Sequence, residues 1–186
     1  MLFRIGREGK HGRRLIPTAG RSTAVRDRFE RGLQAAGSRY QAATVLTLTT
    51  DQHQHAGLSE AIEEPCNNKG RLMSWFSTEY QLGHRPENMT VLEFTESGLP
   101  HYHVVLFGVR PASLPSRQAI SEKWQDYGQA IMVDLSTATT THNGDQWRLH
   151  DDRSGTVTLA QYLGKAIRGL QSVATADAAD LQDRVD

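Results

Sequence analysis

Residues 89–108 read MTVLEFTESGLPHYHVVLFG: two β-branched and aromatic runs on either side of a Ser97-Gly98 turn signal. The pattern predicts a strand over Met89–Thr95, a tight loop, and a strand over His101–Gly108, paired as an antiparallel hairpin. Residues two apart in a strand share a face. His101 and His103 therefore point the same way, and Tyr102 points the other way, into or across the core. Glu93, in phase with Met89 and Val91, is placed to face the histidine pair across the hairpin. Two imidazole nitrogens and one carboxylate oxygen suit a divalent cation and leave coordination positions open, as a catalytic ion requires. With no thiolate in the set, Mg²⁺, Mn²⁺ and Zn²⁺ are all compatible. An isolated His-x-His is more often a pair of ordinary strand residues. The strand–turn–strand setting and the facing carboxylate set this pair apart. His53 and His55 repeat the spacing in a polar stretch and are read as loop residues.

Outward from the hairpin, the run AATVLTLTT within Gln41–Thr50 alternates and is rich in β-branched residues, a buried strand. Arg21–Ala36 reads as a short amphipathic helix stopped by Gly37. Leu58–Glu64 has helical spacing ending at Pro65. Leu72, Trp75, Phe76 and Tyr80 mark one face of a separate helix closed by Gly83 and Pro86. Beyond Pro111 and Pro115, Ser116–Tyr127 is a helix ended by Gly128. Ala130–Ser136 and Gln146–His150 are strands joined across Asn143-Gly144, and a last helix runs from about Thr158 to Leu170. The fold class expected is α+β: a central, mainly antiparallel sheet of four to five strands flanked by helices.

Length and composition bound the function classes. A chain of 186 residues with 38% hydrophobic residues supports one packed domain. No apolar run is long enough to span a membrane. Cys66 is the single cysteine, which excludes an internal disulfide framework and a Cys-based zinc finger. Met1–Arg4 is too short and too soon charged for a signal peptide, so a cytoplasmic location is expected. The net charge of zero conceals an asymmetry: +7 over residues 1–40, −4 over 41–170 and −3 over 171–186. A basic arm beside a neutral body is one way to hold nucleic acid, although charge alone fits a solvated end equally well.

On the last helix Leu159, Leu163, Ala166, Ile167 and Leu170 make the apolar stripe. Tyr162 borders it, and Lys165 follows one turn on. A border tyrosine is usually a packing residue. As a nucleophile its phenol, with an ordinary pKa near 10, needs a polarised phosphate, a base or a nearby cation. Lys165 can serve as that cation or hold the leaving oxygen.

Taken in order, TVLTLTT, Glu93…GLPHYHVVLFG and LAQYLGKA resemble the three motifs of the HUH endonucleases, specifically the single-tyrosine Rep proteins that start rolling-circle replication of small plasmids and viruses. His101-Tyr102-His103 matches the His-hydrophobic-His motif, with Glu93 eight residues before the first histidine. Tyr162-Leu-Gly-Lys165 matches the nucleophile motif. The resemblance covers about residues 42–170. Ala166 distinguishes the chain from two-tyrosine initiators, the three-histidine relaxase pattern is missing, no Walker A motif follows, and the first motif lacks an aromatic residue.

The resemblance implies a palm resembling the RNA-recognition fold over residues 40–170, with 1–39 as a basic arm or helix and 171–186 as an acidic tail. It implies metal-dependent nicking and joining of single-stranded DNA at a replication origin, at a hairpin or its flank. Glu93, His101 and His103 would hold Mg²⁺ or Mn²⁺. Tyr162, assisted by Lys165, would form a 5′-phosphotyrosine and free a 3′-OH. A helicase would come from the host or the replicon, and no membrane is involved. Two alternatives keep the fold: a single-tyrosine transposase, and a nucleic-acid-binding module without catalysis. A histidine-triad hydrolase needs a third alternating histidine where Val105 stands.

Overall fold

The computed structural model describes residues 4–5, 15–16, 22–55, 58–79, 85–94, 100–129, 133–141, 146–151 and 155–164. Two short strands, β1 (Arg4–Ile5) and β2 (Leu15–Ile16), pair with each other. There follow α1 (Ser22–Gly37), β3 (Ala42–Thr49), α2 (Leu58–Glu79), β4 (Asn88–Phe94), β5 (Pro100–Phe107), α3 (Arg117–Asp126), β6 (Val133–Thr140), β7 (Trp147–Asp151) and β8 (Gly155–Thr158). Residues 159–164 form helix α4. Strands β3 to β8 make one sheet of six in the order β4-β5-β3-β6-β7-β8, and every neighbouring pair is antiparallel.

The alternation of side chains along the strands divides the core into two layers. Ala43 and Val45 of β3, Val91 of β4, Val105 and Phe107 of β5, and Trp147 and Leu149 of β7 pack on one face. Phe29, Leu33 and Ala36 of α1 cover them together with Leu159 and Leu163 of α4. On the opposite face Leu46 and Leu48 of β3, Tyr102, Val104 and Leu106 of β5, and Val133 of β6 meet Leu72, Met73 and Phe76 of α2 and Ile120 and Trp124 of α3. The architecture is therefore α+β, a sheet between two helical layers. Each layer is tied by a buried polar tip: the Trp147 indole donates to the Leu33 carbonyl at 2.9 Å, and the Trp124 indole to the Thr49 carbonyl at 2.8 Å.

Two sequence expectations need correction. The sheet has six strands, not four to five, because Gly155–Thr158, to which no strand was assigned from the sequence, adds to the edge as β8. The helices expected on either side of Pro65 are one helix, α2, with the proline inside. Pro65 has no N–H for the Ala61 carbonyl, yet Ala61, Ile62, Pro65, Asn68, Leu72, Met73 and Phe76 stay buried in unbroken helical phase, and that continuous packed face outweighs the lost bond. The helix expected over Arg21–Ala36 is α1, and its Phe29, Leu33 and Ala36 share the core of the sheet. The turns expected at 97–98 and 143–144, and the tail at 171–186, lie outside the described residues.

α3 starts and stops as its sequence directs. The Ser116 hydroxyl accepts from the Ala119 N–H, and Gly128, at φ 74°, closes the helix. After β5 the chain turns at Gly108, at φ 73°. The Tyr40 ring lies 2.8 Å from where a Cβ would stand, so both backbone and space call for glycine there. Among the described residues, no helix is long and apolar enough to cross a membrane.

Candidate active site

The layer of α1 and α4 does not cover the whole of its sheet face. Beyond Val45, Val91 and Val105, the same face continues with Thr47, Glu93, His103 and His101. Backbone pairing sets Glu93 opposite His101, Val91 opposite His103, and Thr47 opposite His103 on the other side. The Glu93 carboxylate reaches along the diagonal: its Oε2 lies 2.6 Å from His103 Nε2. Thr47 Oγ1 lies 3.1 Å from His103 Nδ1. Both nitrogens of a nearly buried ring, 4% exposed, are thus engaged.

Tyr162 comes to this cluster from α4. Thr158-Leu159-Ala160-Gln161 forms a capping box: the Thr158 hydroxyl accepts from the Gln161 N–H at 3.1 Å, and the Gln161 side-chain oxygen accepts from the Thr158 N–H at 3.3 Å. This box fixes where the helix begins. Leu159 and Leu163 are fully buried, which sets its rotation. Tyr162 is then held half-buried at the border, and its ring meets His103 edge-on, with centroids 5.5 Å apart and planes at 78°. An edge-on pair of this kind is a favourable ring geometry. Lys165, expected one turn further, lies outside the described residues.

His101 is half-buried on the same face. Burial, and then the neighbouring His103, hold its imidazole below the ordinary 6.5, while Glu93 pulls in the opposite direction. Its neutral, electron-donating form is therefore favoured near neutral pH. Tyr102, between the two histidines, points into the other layer and donates to the Ile62 carbonyl of α2. Burial raises its phenol far above the ordinary range.

Two imidazoles and a carboxylate have the donor chemistry of a divalent cation. Glu93 and His103 already meet, at a separation somewhat shorter than the roughly 3 Å that two ligands at right angles keep around an ion with bonds of about 2.1 Å. Among the described residues, no three His, Cys, Asp or Glu side chains converge as placed. The donor types fit an ion, and closing the set takes side-chain rotation around the Glu93–His103 pair. The second histidine pair is divided: the buried His55 ring has the Glu64 carboxylate 3.2 Å from its Nδ1, while His53 is exposed.

The sequence reading omitted Thr47 and the capping box. Both had signals: Thr47 is in phase with Val45 on the strand before the hairpin, and Thr-x-x-Gln stands directly ahead of an apolar helical stripe.

Residues 81–161 match the Domain of unknown function (DUF8148) C-terminal domain. That stretch holds Glu93, His101 and His103 and stops one residue before Tyr162. The chain is also similar to Uncharacterized protein 1 of Halorubrum pleomorphic virus 1, at 26% identity over 148 residues, covering 74% of this chain and 28% of the viral protein. The chain thus spans less than a third of that protein's length. No solved structure matches it significantly.

Proposed function

We propose that the chain is an HUH-type endonuclease of the single-tyrosine Rep class, which nicks and rejoins single-stranded DNA at a replication origin. The observation that carries this reading is the meeting of Tyr162 with His103, which is itself paired with Glu93. The β4–β5 hairpin and a helix some sixty residues further on bring a phenol, an imidazole and a carboxylate together beside His101. Similarity to a viral protein fits a replicon-borne initiator.

Tyr162 is the nucleophile. Its phenolic oxygen gives up its proton and attacks the scissile phosphorus, the bond to the 3′ oxygen breaks, and the leaving 3′ oxygen takes up a proton, giving a 5′-phosphotyrosine and a free 3′-OH. Phosphotyrosine keeps most of the energy of the diester, so a 3′-OH can reverse the step without ATP. Glu93, His101 and His103 are the residues that would hold Mg²⁺ or Mn²⁺. A bound ion there supplies charge neutralisation at a non-bridging phosphate oxygen and orients it for in-line attack. The low proton affinity of His101 keeps a nitrogen lone pair available at neutral pH. The packing of Leu159 and Leu163 fixes the arc through which Tyr162 moves. Lys165, three residues after Tyr162 in the sequence, is the residue assigned to assist the phenol.

The test mixes the protein with Mn²⁺ and labelled single-stranded oligonucleotides drawn from the parent replicon's intergenic DNA, followed on denaturing gels. The expected result is a slow-migrating covalent adduct that needs the metal and disappears in Tyr162→Phe. Nicking that persists in that variant would sink the assignment.

A further inference from the structure

His103 has two partners, and only one of them has a place in the chemistry above. The contact to Glu93 at 2.6 Å needs one proton between Nε2 and the carboxylate. With that proton on Nε2, Nδ1 of a neutral ring is an acceptor. For Nε2 to bind an ion, the neutral ring takes its other tautomer: its single proton leaves Nε2 and, by exchange with solvent, one is carried on Nδ1, which becomes a donor. A partner at Nδ1 must be able to serve both states. A hydroxyl can, because it rotates between donor and acceptor; a backbone carbonyl or a backbone N–H cannot. The group at that position is the Thr47 hydroxyl, at 3.1 Å, on the strand residue directly opposite His103.

We propose that Thr47 is a positioning residue: it holds the His103 ring through Nδ1 and changes hydrogen-bond direction as Nε2 passes from sharing a proton with Glu93 to binding an ion. The contrast with Thr44, on the same strand, supports a particular role. Thr44 faces the other layer, and its hydroxyl donates to the Val109 carbonyl at 2.9 Å, a fixed one-way bond. Thr49 pairs in register with His101 as Thr47 does with His103. The alternation of Thr47 and Thr49 in the LTLTT run over residues 46–50 therefore places a hydroxyl residue beside each histidine on the site face. Neighbours of this kind fix ring orientation and commonly change metal affinity by about 10- to 100-fold. The consequence for nicking rests on the function proposed above, whereas the hold on the ring does not.

The experiment compares wild type, Thr47→Val and Thr47→Ser by two readouts. Valine keeps the branched shape and the strand preference but removes the hydroxyl; serine restores it. Mn²⁺ affinity, measured by the loss of the free-ion electron paramagnetic resonance signal, is expected to fall about tenfold in Thr47→Val, with Thr47→Ser recovering most of the loss. In the metal-free protein, the ¹⁵N resonance of His103 Nδ1 is expected to move in Thr47→Val toward that of an imidazole nitrogen without a hydrogen bond, and to return in Thr47→Ser. A Thr47→Val protein that melts like wild type and keeps both its Mn²⁺ affinity and its Nδ1 resonance overturns the proposal. Should the wild type make no DNA adduct while both readouts still depend on the hydroxyl, the nickase reading fails and the role of Thr47 stands.

Discussion

On one face of the sheet Tyr102 is buried under α2, its hydroxyl given to the Ile62 carbonyl and its phenol held far above the ordinary range by burial. On the other face Tyr162 is half-buried at the rim of α4, edge-on to an imidazole that is bonded to a carboxylate. Both residues are tyrosines next to His103, one by sequence and one across space, and neither composition nor hydrophobicity separates them. The difference lies in what surrounds the oxygen. A phenol sealed against a helix carbonyl can only stabilise, because ionising it strands a charge in an apolar layer. A phenol at the edge of a polar face can meet a phosphate. One strand, β5, supplies both environments because its side chains alternate between the layers.

The comparison breaks most sharply by removing one hydroxyl at a time. Tyr162→Phe is expected to lower the rate of DNA adduct formation by at least ~10³-fold, about 4 kcal/mol of barrier, with the melting temperature little changed. Tyr102→Ala is expected to do the reverse. Loss of a buried ring costs about 3–5 kcal/mol, read in urea or thermal unfolding. Tyr102→Phe, which removes only the hydrogen bond to the Ile62 carbonyl, costs about 0.5–1.5 kcal/mol and spares the adduct. An adduct lost in Tyr102→Phe at full stability would show that the two tyrosines are not divided as described. Gly108→Ala gives a reference remote from both phenols. The left-handed turn at φ 73° and the close Tyr40 ring predict a loss of about 1–2 kcal/mol, seen in unfolding but not in metal binding.

The smallest expected effect concerns His101, on the same face as Tyr162. Because its folded pKa is depressed, its neutral form contributes stability that is complete above the ordinary 6.5 and is lost as pH falls through that value toward the lower folded midpoint. The measurement is an NMR titration of the metal-free protein, with a midpoint expected below 6.5. Glu93→Gln should lower it further, since the carboxylate is the influence that raises it. A midpoint at or above 6.5 would mean that burial does not dominate on this face.

The parts of the site legible in the sequence are those that depend on a period of two. The hairpin, the shared face of His101 and His103, the opposite face of Tyr102 and the placing of Glu93 across from the pair all follow from parity and a short loop, and the structure places these side chains on those faces. What parity does not show is which diagonal a side chain takes. Glu93 is opposite His101 by backbone yet bonds His103, an outcome of sheet twist and rotamer. Thr47 was hidden for a different reason. Threonine is common in strands for its shape alone, so a hydroxyl with a task looks the same as one without. At Pro65 a local rule gave the wrong boundary, because a helix held by a long packed face tolerates the loss of one bond. β8 was missed because four residues leading into a helix carry too little pattern to mark a strand.

The most direct test of the division between the two tyrosines is to find where the DNA attaches. Wild-type protein would be incubated with Mn²⁺ and origin-derived single-stranded oligonucleotide, digested with protease and nuclease, and its peptides sequenced by mass spectrometry. The account predicts a nucleotide phosphate on the peptide containing Tyr162 and none on the peptide containing Tyr102. Attachment at Tyr102 or at any other residue would contradict it, as would intact oligonucleotide beside folded, Mn²⁺-bound protein.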